Sequence, residues 1–291
     1  MFNKNKIEFF FFILFSKIFK VIGLRGTRKF AKLMGSFIYY IIPIRKKVVI
    51  ENLTFAFPEK SKKEIEQIAQ RNYQNIFLTF FEFMYYPNSN SEEIKTLLKI
   101  PNLDLMKNKM EEGKGMIFLT GHFGSWEIGG LAAALLMNYP FHVLAKPQRN
   151  PYITEWWKNT REMFGNKEIW LGVSIRQIFE VLKSGGILCV VADQRGPMDS
   201  PRVNFFGRQT AFYTGIASII LKVKCNVIMG AIIRQNDYSY KTEIEELVID
   251  DLGKNLYDQV KEITQKYISF LEKHIRNYPE QYFWMHKIWK Y

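Results

Sequence analysis

His122 and Glu127 are the residues best spaced for acid–base chemistry. They lie in Thr120-Gly121-His122-Phe123-Gly124-Ser125-Trp126-Glu127. The apolar run Met116–Thr120 before them reads as a strand, and the small-residue run Gly129–Met137 after them reads as a helix. An imidazole held by a carboxylate at the open end of a strand can take the proton of a hydroxyl as that hydroxyl attacks a carbonyl. The carboxylate fixes the tautomer and stabilises the imidazolium. No serine or cysteine stands in a nucleophile-elbow pattern, so the attacking hydroxyl belongs to the substrate. The pattern therefore points to acyl transfer to an alcohol. Gly121 and Gly124 let the backbone turn tightly or approach a ligand closely. On these residues alone, a structural histidine beside a strand remains the competing reading.

The elements that must position the pair follow from periodicity. Strands are expected near 116–120, 141–145, 187–192, 226–234 and 240–247. Ser61-Lys62-Lys63-Glu64 is a capping box opening a helix to about Tyr86. Asn150-Pro151 opens another, since Pro suits the first helical position. A second capping box is read at Ser174–Gln177, a helix over 210–223, and a last long helix over 254–276 with Leu256, Val260, Ile263, Tyr267, Phe270 and Leu271 at core spacing. The alternation predicts an α/β sandwich, a mixed sheet flanked by helices. Asp193 follows the apolar strand Ile187–Ala192, so its carboxylate is expected in the same crevice as His122, free to pair with Arg161 or Arg195.

The chain has 291 residues, 47% hydrophobic and 16% aromatic, with a net charge of +13. One large α/β domain with a short terminal element fits that length. An anionic membrane surface or an acidic carrier protein suits so basic a chain. Nothing with zinc-finger, RNA-binding or Arg-rich-arm character supports a nucleic-acid partner. Cys189 and Cys225 both lie in apolar runs and read as buried small hydrophobes in a reducing, cytoplasm-facing domain. Four histidines without paired spacing predict no metal. Ile7–Ile22 reads IEFFFFILFSKIFKVI. Its apolar core, Phe9–Phe15, is shorter than the ~20 residues that span a bilayer. Two readings stand: a poor span with snorkelling lysines, or an amphipathic helix in the interface. A buried first helix is the competing reading, against which the four consecutive phenylalanines Phe9–Phe12 argue. A second membrane-proximal helix is expected over Gly26–Ile44, which divides the chain into N-terminal helices, 1–44, and the main domain, 45–291.

Three further blocks accompany His122 and Glu127. They are Val191-Ala192-Asp193-Gln194-Arg195-Gly196-Pro197, then Asn204-Phe205-Phe206-Gly207 followed by Thr214-Gly215, then Tyr278-Pro279-Glu280-Gln281-Tyr282-Phe283-Trp284-Met285-His286. In this order, over roughly 40–289, the chain resembles the late acyltransferases of lipid A biosynthesis, the lauroyl and myristoyl transferases. These belong to a glycerolipid acyltransferase-like group with an H-x4-D/E signature. The resemblance implies a glycerolipid acyltransferase-like α/β sandwich with an N-terminal membrane-associated helix, at the inner membrane with the catalytic domain toward the cytoplasm. It implies transfer of a fatty acyl chain from an acyl carrier protein thioester to a hydroxyl of a lipid A precursor, with no cofactor beyond that co-substrate. The alternative is a related enzyme using acyl-CoA and another glycolipid or a lysophospholipid. His122 would be the base and Glu127 its orienting partner. Arg161 would stabilise the oxyanion or bind an acceptor phosphate, and Asp193 would join them. Gly124, Arg195, Phe205, Phe206 and Gly207 would contact substrate, the phenylalanines lining the acyl groove.

Overall fold

In the computed structural model, residues 3–172, 175–250 and 252–290 are described. The chain opens with helices α1 (Lys4–Tyr40), α2 (Lys46–Ala56) and α3 (Lys62–Tyr85). The capping box read from the sequence opens α3: Ser61 accepts from Glu64 N–H while Glu64 reaches back to Ser61 N–H. The two expected N-terminal helices are both present within α1 and meet at Gly23, whose φ of +67° and ψ of 173° break the helical path. α1 lies against α3, and the approach depends on small residues: a Cβ at Gly35 would meet the Gln74 backbone at 2.6 Å.

The consecutive phenylalanines divide by face. Phe9 stacks on Tyr152 and Phe12 packs edge-on to Trp156, whereas Phe10 and Phe11 are exposed. Ile7, Leu14, Ile18, Val21 and Ile22 continue that exposed apolar stripe at helical spacing. Among the described residues no helix is long and apolar enough to cross a membrane, so the span weighed for Ile7–Ile22 is not supported. The second half of α1 is tied inward by a buried ion cluster. Glu82 of α3 accepts from Arg28 at 2.6 Å, from Arg234 at 3.1 Å and from the Tyr240 hydroxyl.

The strands are β1 (Leu98–Lys99), β2 (Met116–Thr120), β3 (Phe141–Ala145), β4 (Lys167–Trp170), β5 (Ile187–Val191), β6 (Arg202–Phe205), β7 (Arg208–Ala211), β8 (Asn226–Arg234) and β9 (Tyr240–Glu246). The remaining helices are α4 (Ser91–Leu97), α5 (Leu103–Glu111), α6 (Trp126–Met137), α7 (Pro151–Met163), α8 (Ile175–Lys183), α9 (Gly215–Val223) and α10 (Leu256–Asn277). One sheet has the order β1-β9-β8-β2-β5-β3-β4, with β8 and β9 antiparallel and every other pair parallel. Its central strands are buried along their whole length, as a sheet covered on both faces requires. Ile117 and Leu119 of β2 enter one core and Met116 and Phe118 the other, following strand alternation.

All five expected strands are present. The helix expected over 210–223 starts only at Gly215, because 208–211 pairs with 202–205 as a separate hairpin. Its turn is Phe206-Gly207, both with positive φ, as a two-residue hairpin of this hand needs. Ser174 of the second expected capping box lies outside the described residues.

Candidate active site

Strand register places the histidine. Thr120 of β2 pairs with Val191 of β5 in parallel. Two residues beyond each, on the same side of the sheet, stand His122 and Asp193. The Asp193 carboxylate accepts from the His122 main-chain N–H at 2.9 Å and meets the ring Nδ1 at 2.7 Å. This corrects the expected pairing: the ring's hydrogen-bond partner is Asp193, not Glu127. Glu127 sits in the first turn of α6, and both its oxygens accept from Arg161, at 3.0 and 2.7 Å. The third guanidinium nitrogen donates to Glu168 at 2.5 Å. Arg161 therefore does not pair with Asp193. Clamped by two carboxylates and buried, it is also not placed to grip a substrate phosphate.

The electrostatics follow from these contacts. Burial pulls the His122 pKa down, but the Asp193 charge and hydrogen bond, with a further pull from the Glu127 charge, raise it above 6.5. Asp193 has no exposed surface, and burial pushes its pKa up. The charge and hydrogen bonds of His122 outweigh that and hold it below 3.8. With Nδ1 engaged, Nε2 is the ring atom left for a substrate.

The closing segment forms the wall beside this histidine. Phe123 bridges Tyr282, Gly124 N–H donates to the Gln281 carbonyl and Phe283 N–H donates to the His122 carbonyl. Two asparagines fasten the segment: Asn52 donates to the Trp284 and His286 carbonyls, and Asn72 to those of Glu280 and Tyr282. Trp126 lies edge-on to the His122 ring at 5.0 Å. Gly124, expected at the substrate, has its own structural reason: its φ is +60° and a Cβ would collide with the Ile232 carbonyl.

His122 lines two clefts. One, of about 320 Å³, is walled mainly by apolar residues including Phe80, Trp126, Leu131, Leu144 and Trp157, with the Glu127–Arg161 pair at its side. The other, of about 450 Å³, is lined by Arg45, Arg195, Lys287 and Lys290 together with His286. Phe205 and Phe206 border neither. They are buried against Trp284, Trp289 and Phe57, and Gly207 completes their hairpin turn, so the expected acyl-groove lining is a core aromatic cluster. The apolar cleft beside His122 is walled instead by other residues of α3, α6, β3 and α7, which the sequence reading did not assign to an acyl groove. Arg45, Lys287 and Lys290 were also missed, since nothing in their spacing marks them. Cys189 and Cys225 are buried free thiols, both pushed up to about 12 by burial.

A sequence model of the bacterial lipid A biosynthesis acyltransferases matches residues 3–291. The chain belongs to that family. It is 24% identical over 282 residues to a lipid A biosynthesis palmitoleoyltransferase of Escherichia coli (strain K12), covering 94% of this chain and 86% of the relative. It is 23% identical over 236 residues to a lipid A biosynthesis acyltransferase of Haemophilus influenzae, covering 80% and 72%. A lipid A biosynthesis lauroyltransferase of Escherichia coli (strain K12) is 21% identical over 250 residues, covering 84% and 79%. In this acyltransferase the match runs through both clefts and the histidine between them.

Proposed function

We propose that the enzyme moves a fatty acyl group from a thioester to a hydroxyl of a lipid A precursor, with His122 as general base and Asp193 as its orienting partner. The observation that carries this reading is the free Nε2 of His122 at the junction of an apolar cleft and a basic one. Nε2 takes the hydroxyl proton as the oxygen attacks the thioester carbonyl carbon. The tetrahedral intermediate then collapses, the C–S bond breaks, and the leaving thiolate takes the proton back from Nε2. The products are an ester and a free thiol. General-base assistance of this kind contributes roughly 10²–10⁴-fold. Holding both substrates at Nε2 supplies a further part. Glu127 and Arg161 act as positioning residues: they brace α6 against α7 beside the apolar cleft, and the Glu127 charge raises the basicity of His122.

The apolar cleft is assigned to the acyl chain. Acyl carrier protein is the donor we favour, because a chain of net charge +13 suits an acidic carrier. Lauroyl, myristoyl and palmitoleoyl chains are all candidates. We place the enzyme at the inner membrane, facing the cytoplasm. The exposed stripe from Ile7 to Ile22, edged by Lys17 and Lys20, supports an interfacial contact with anionic lipid.

Purified protein supplied with a lipid A precursor and either acyl carrier protein thioesters or acyl-CoA tests this. The expected result is one ester per thiol released, faster from the carrier protein and abolished by His122→Ala in a folded protein. Thiol release with no ester product, or full activity of His122→Ala, overturns it.

A further inference from the structure

The half of α1 after Gly23 is an amphipathic helix turned the wrong way for water. Toward α3 it buries Thr27, Ala31 and Gly35 along with Ile38 and Tyr39. Outward it exposes Leu33, Phe37 and Tyr40, and the turn that follows adds Ile41, Ile42 and Ile44. These side chains are between 43% and 65% exposed, and positions 33, 37, 40 and 41 share one helical face. A helix that faces water carries polar and charged residues there. The patch is separate from the Ile7–Ile22 stripe, which belongs to the half of α1 before Gly23. Its turn is held firmly. The Ile44 carbonyl accepts from the Tyr73 hydroxyl at 2.5 Å, and the Arg45 guanidinium donates to the Met285 carbonyl at 2.8 Å. Arg45, next in the chain after Ile44, lines the same cleft as His122, so the patch stands beside that cleft.

Charge decides what covers the patch. From Phe9 to Ile50 the sequence has no aspartate or glutamate and nine lysines and arginines. Arg25, Lys29 and Lys32 stand exposed before the patch, and Arg45, Lys46 and Lys47 follow it. A second copy of the chain would set these like charges against each other around a shared apolar centre. An anionic lipid surface complements them. Tyr40, with an apolar ring and a polar tip, suits the headgroup level. We propose that this patch docks on an anionic bilayer and holds the mouth of the His122 cleft against it, so that a lipid acceptor enters the cleft from the membrane. The docking stands on the chemistry of the patch; only the acceptor's route rests on the transfer reading.

The test uses the full-length protein with Ile42→Cys carrying an environment-sensitive dye. The native thiols of Cys189 and Cys225 are buried and pushed up to about 12, so they stay unlabelled. Val248→Cys is the control. It is exposed, and its neighbour Leu247 donates to the Val227 carbonyl at the start of β8, the end of the sheet away from His122. Vesicles of equimolar phosphatidylglycerol and phosphatidylethanolamine are added to each. The dye at 42 should shift to the blue and the dye at 248 should not, with a smaller shift at 42 on phosphatidylcholine vesicles. Activity gives a second readout. Phe37→Ser/Ile41→Ser/Ile42→Ser should lose roughly tenfold or more in kcat/KM for acceptor embedded in the anionic vesicles, and turn over acceptor dispersed in non-ionic detergent like the wild type. An unmoved dye at 42, equal shifts at 42 and 248, or equal losses on both acceptor forms overturn the proposal. So does a blue shift that grows with protein concentration in the absence of vesicles, which marks a contact between copies. A vesicle-dependent shift confined to 42, with no ester formed by the wild type, sinks the transfer reading and leaves the docking surface standing.

Discussion

Asp193→Asn separates two accounts of how His122 is held. The wild-type carboxylate satisfies two partners at once, the His122 main-chain N–H at 2.9 Å and the ring Nδ1 at 2.7 Å. An amide offers one oxygen and one NH2. If the oxygen stays on the main-chain N–H, the NH2 faces Nδ1 and favours the tautomer with its proton on Nε2. The atom that should accept the hydroxyl proton then already carries one. If the amide flips, the main-chain N–H is left facing an NH2. The flip keeps Nε2 free but sets two donors against each other, so the first arrangement is favoured; base catalysis is lost there, and kcat should fall by about 10²–10⁴-fold.

The pH profile supplies a second signature. A base works deprotonated, so kcat/KM falls as pH drops through the His122 pKa, which the Asp193 charge raises above 6.5. Removing that charge leaves burial as the larger influence, and the acid limb should move down. Glu127→Gln acts differently. It touches neither bond to His122 but breaks a buried ion pair, which costs about 3 kcal/mol of stability, the low end of the usual range because Glu168 still pairs with Arg161. Its acid limb should move only slightly, since Glu127 reaches His122 through charge alone. Acyl transfer measured from below to above pH 6.5, with chemical unfolding of each variant, reads all of these. An Asp193→Asn enzyme with near wild-type kcat and an unmoved limb, beside a Glu127→Gln enzyme that has lost both, would refute the Asp193 partnership.

Three further outcomes are expected. Gly130 borders the apolar cleft with open space where a Cβ would stand. Gly130→Leu should therefore cut kcat/KM for the longest acyl chains by about fourfold per excluded methylene, at ~0.8 kcal/mol each. A chain-length profile identical to wild type would count against the acyl-groove assignment. The unfolded chain protonates His286 near 6.5 but the folded one only near 4, so stability should fall as pH drops between those values. That contribution is at most about 1.4 kcal/mol per pH unit. Urea unfolding should show a shallower slope in His286→Gln, and parallel slopes would refute it. Replacing Phe10, Phe11, Leu14 and Ile18 with serine should release the protein from membranes, as the four side chains contribute several kcal/mol of apolar burial. Retention of the variant in the membrane fraction would refute the interfacial role. Deleting 1–25 would be a poorer test, because it removes the fully buried Phe19 and the Ser16 bond to the Met84 carbonyl.

Strand periodicity and cap chemistry were legible because they are local. Met116–Thr120 and Ile187–Val191 announce themselves by unbroken apolar runs, and Ser61 and Asn150 by their offsets from the helices they cap. The His122–Asp193 pair carried a faint signal as well: each residue stands two places beyond an apolar strand. That offset becomes a contact only when β2 and β5 are known to be neighbours, and adjacency is a property of the sheet. Glu127 drew the eye by its spacing, yet its partner is Arg161, 34 residues on. Phe205 and Phe206 suit a lipid groove by type, but a hairpin turn folded them against the C-terminal tryptophans. The basic cleft gathers Arg45, Arg195 and the last lysines from distant parts of the chain, which no local pattern can disclose.

The wall beside His122 is made well after the histidine loop that it supports. Residues 281–283 pair with the histidine loop, and 161 residues separate His122 from Phe283. At 5–20 residues per second, ribosomes need about 10–30 s to cover that distance. Helix α1 emerges before the strands, with its outward-facing phenylalanines exposed while the rest is still being synthesised. The strands follow, with the histidine loop open on one flank. Only when the two asparagine clasps close on the tail does the loop gain its final support. A nascent or prematurely ended chain therefore has its exposed apolar helix but lacks the wall beside His122, so truncated copies are expected to keep that surface and to be inactive.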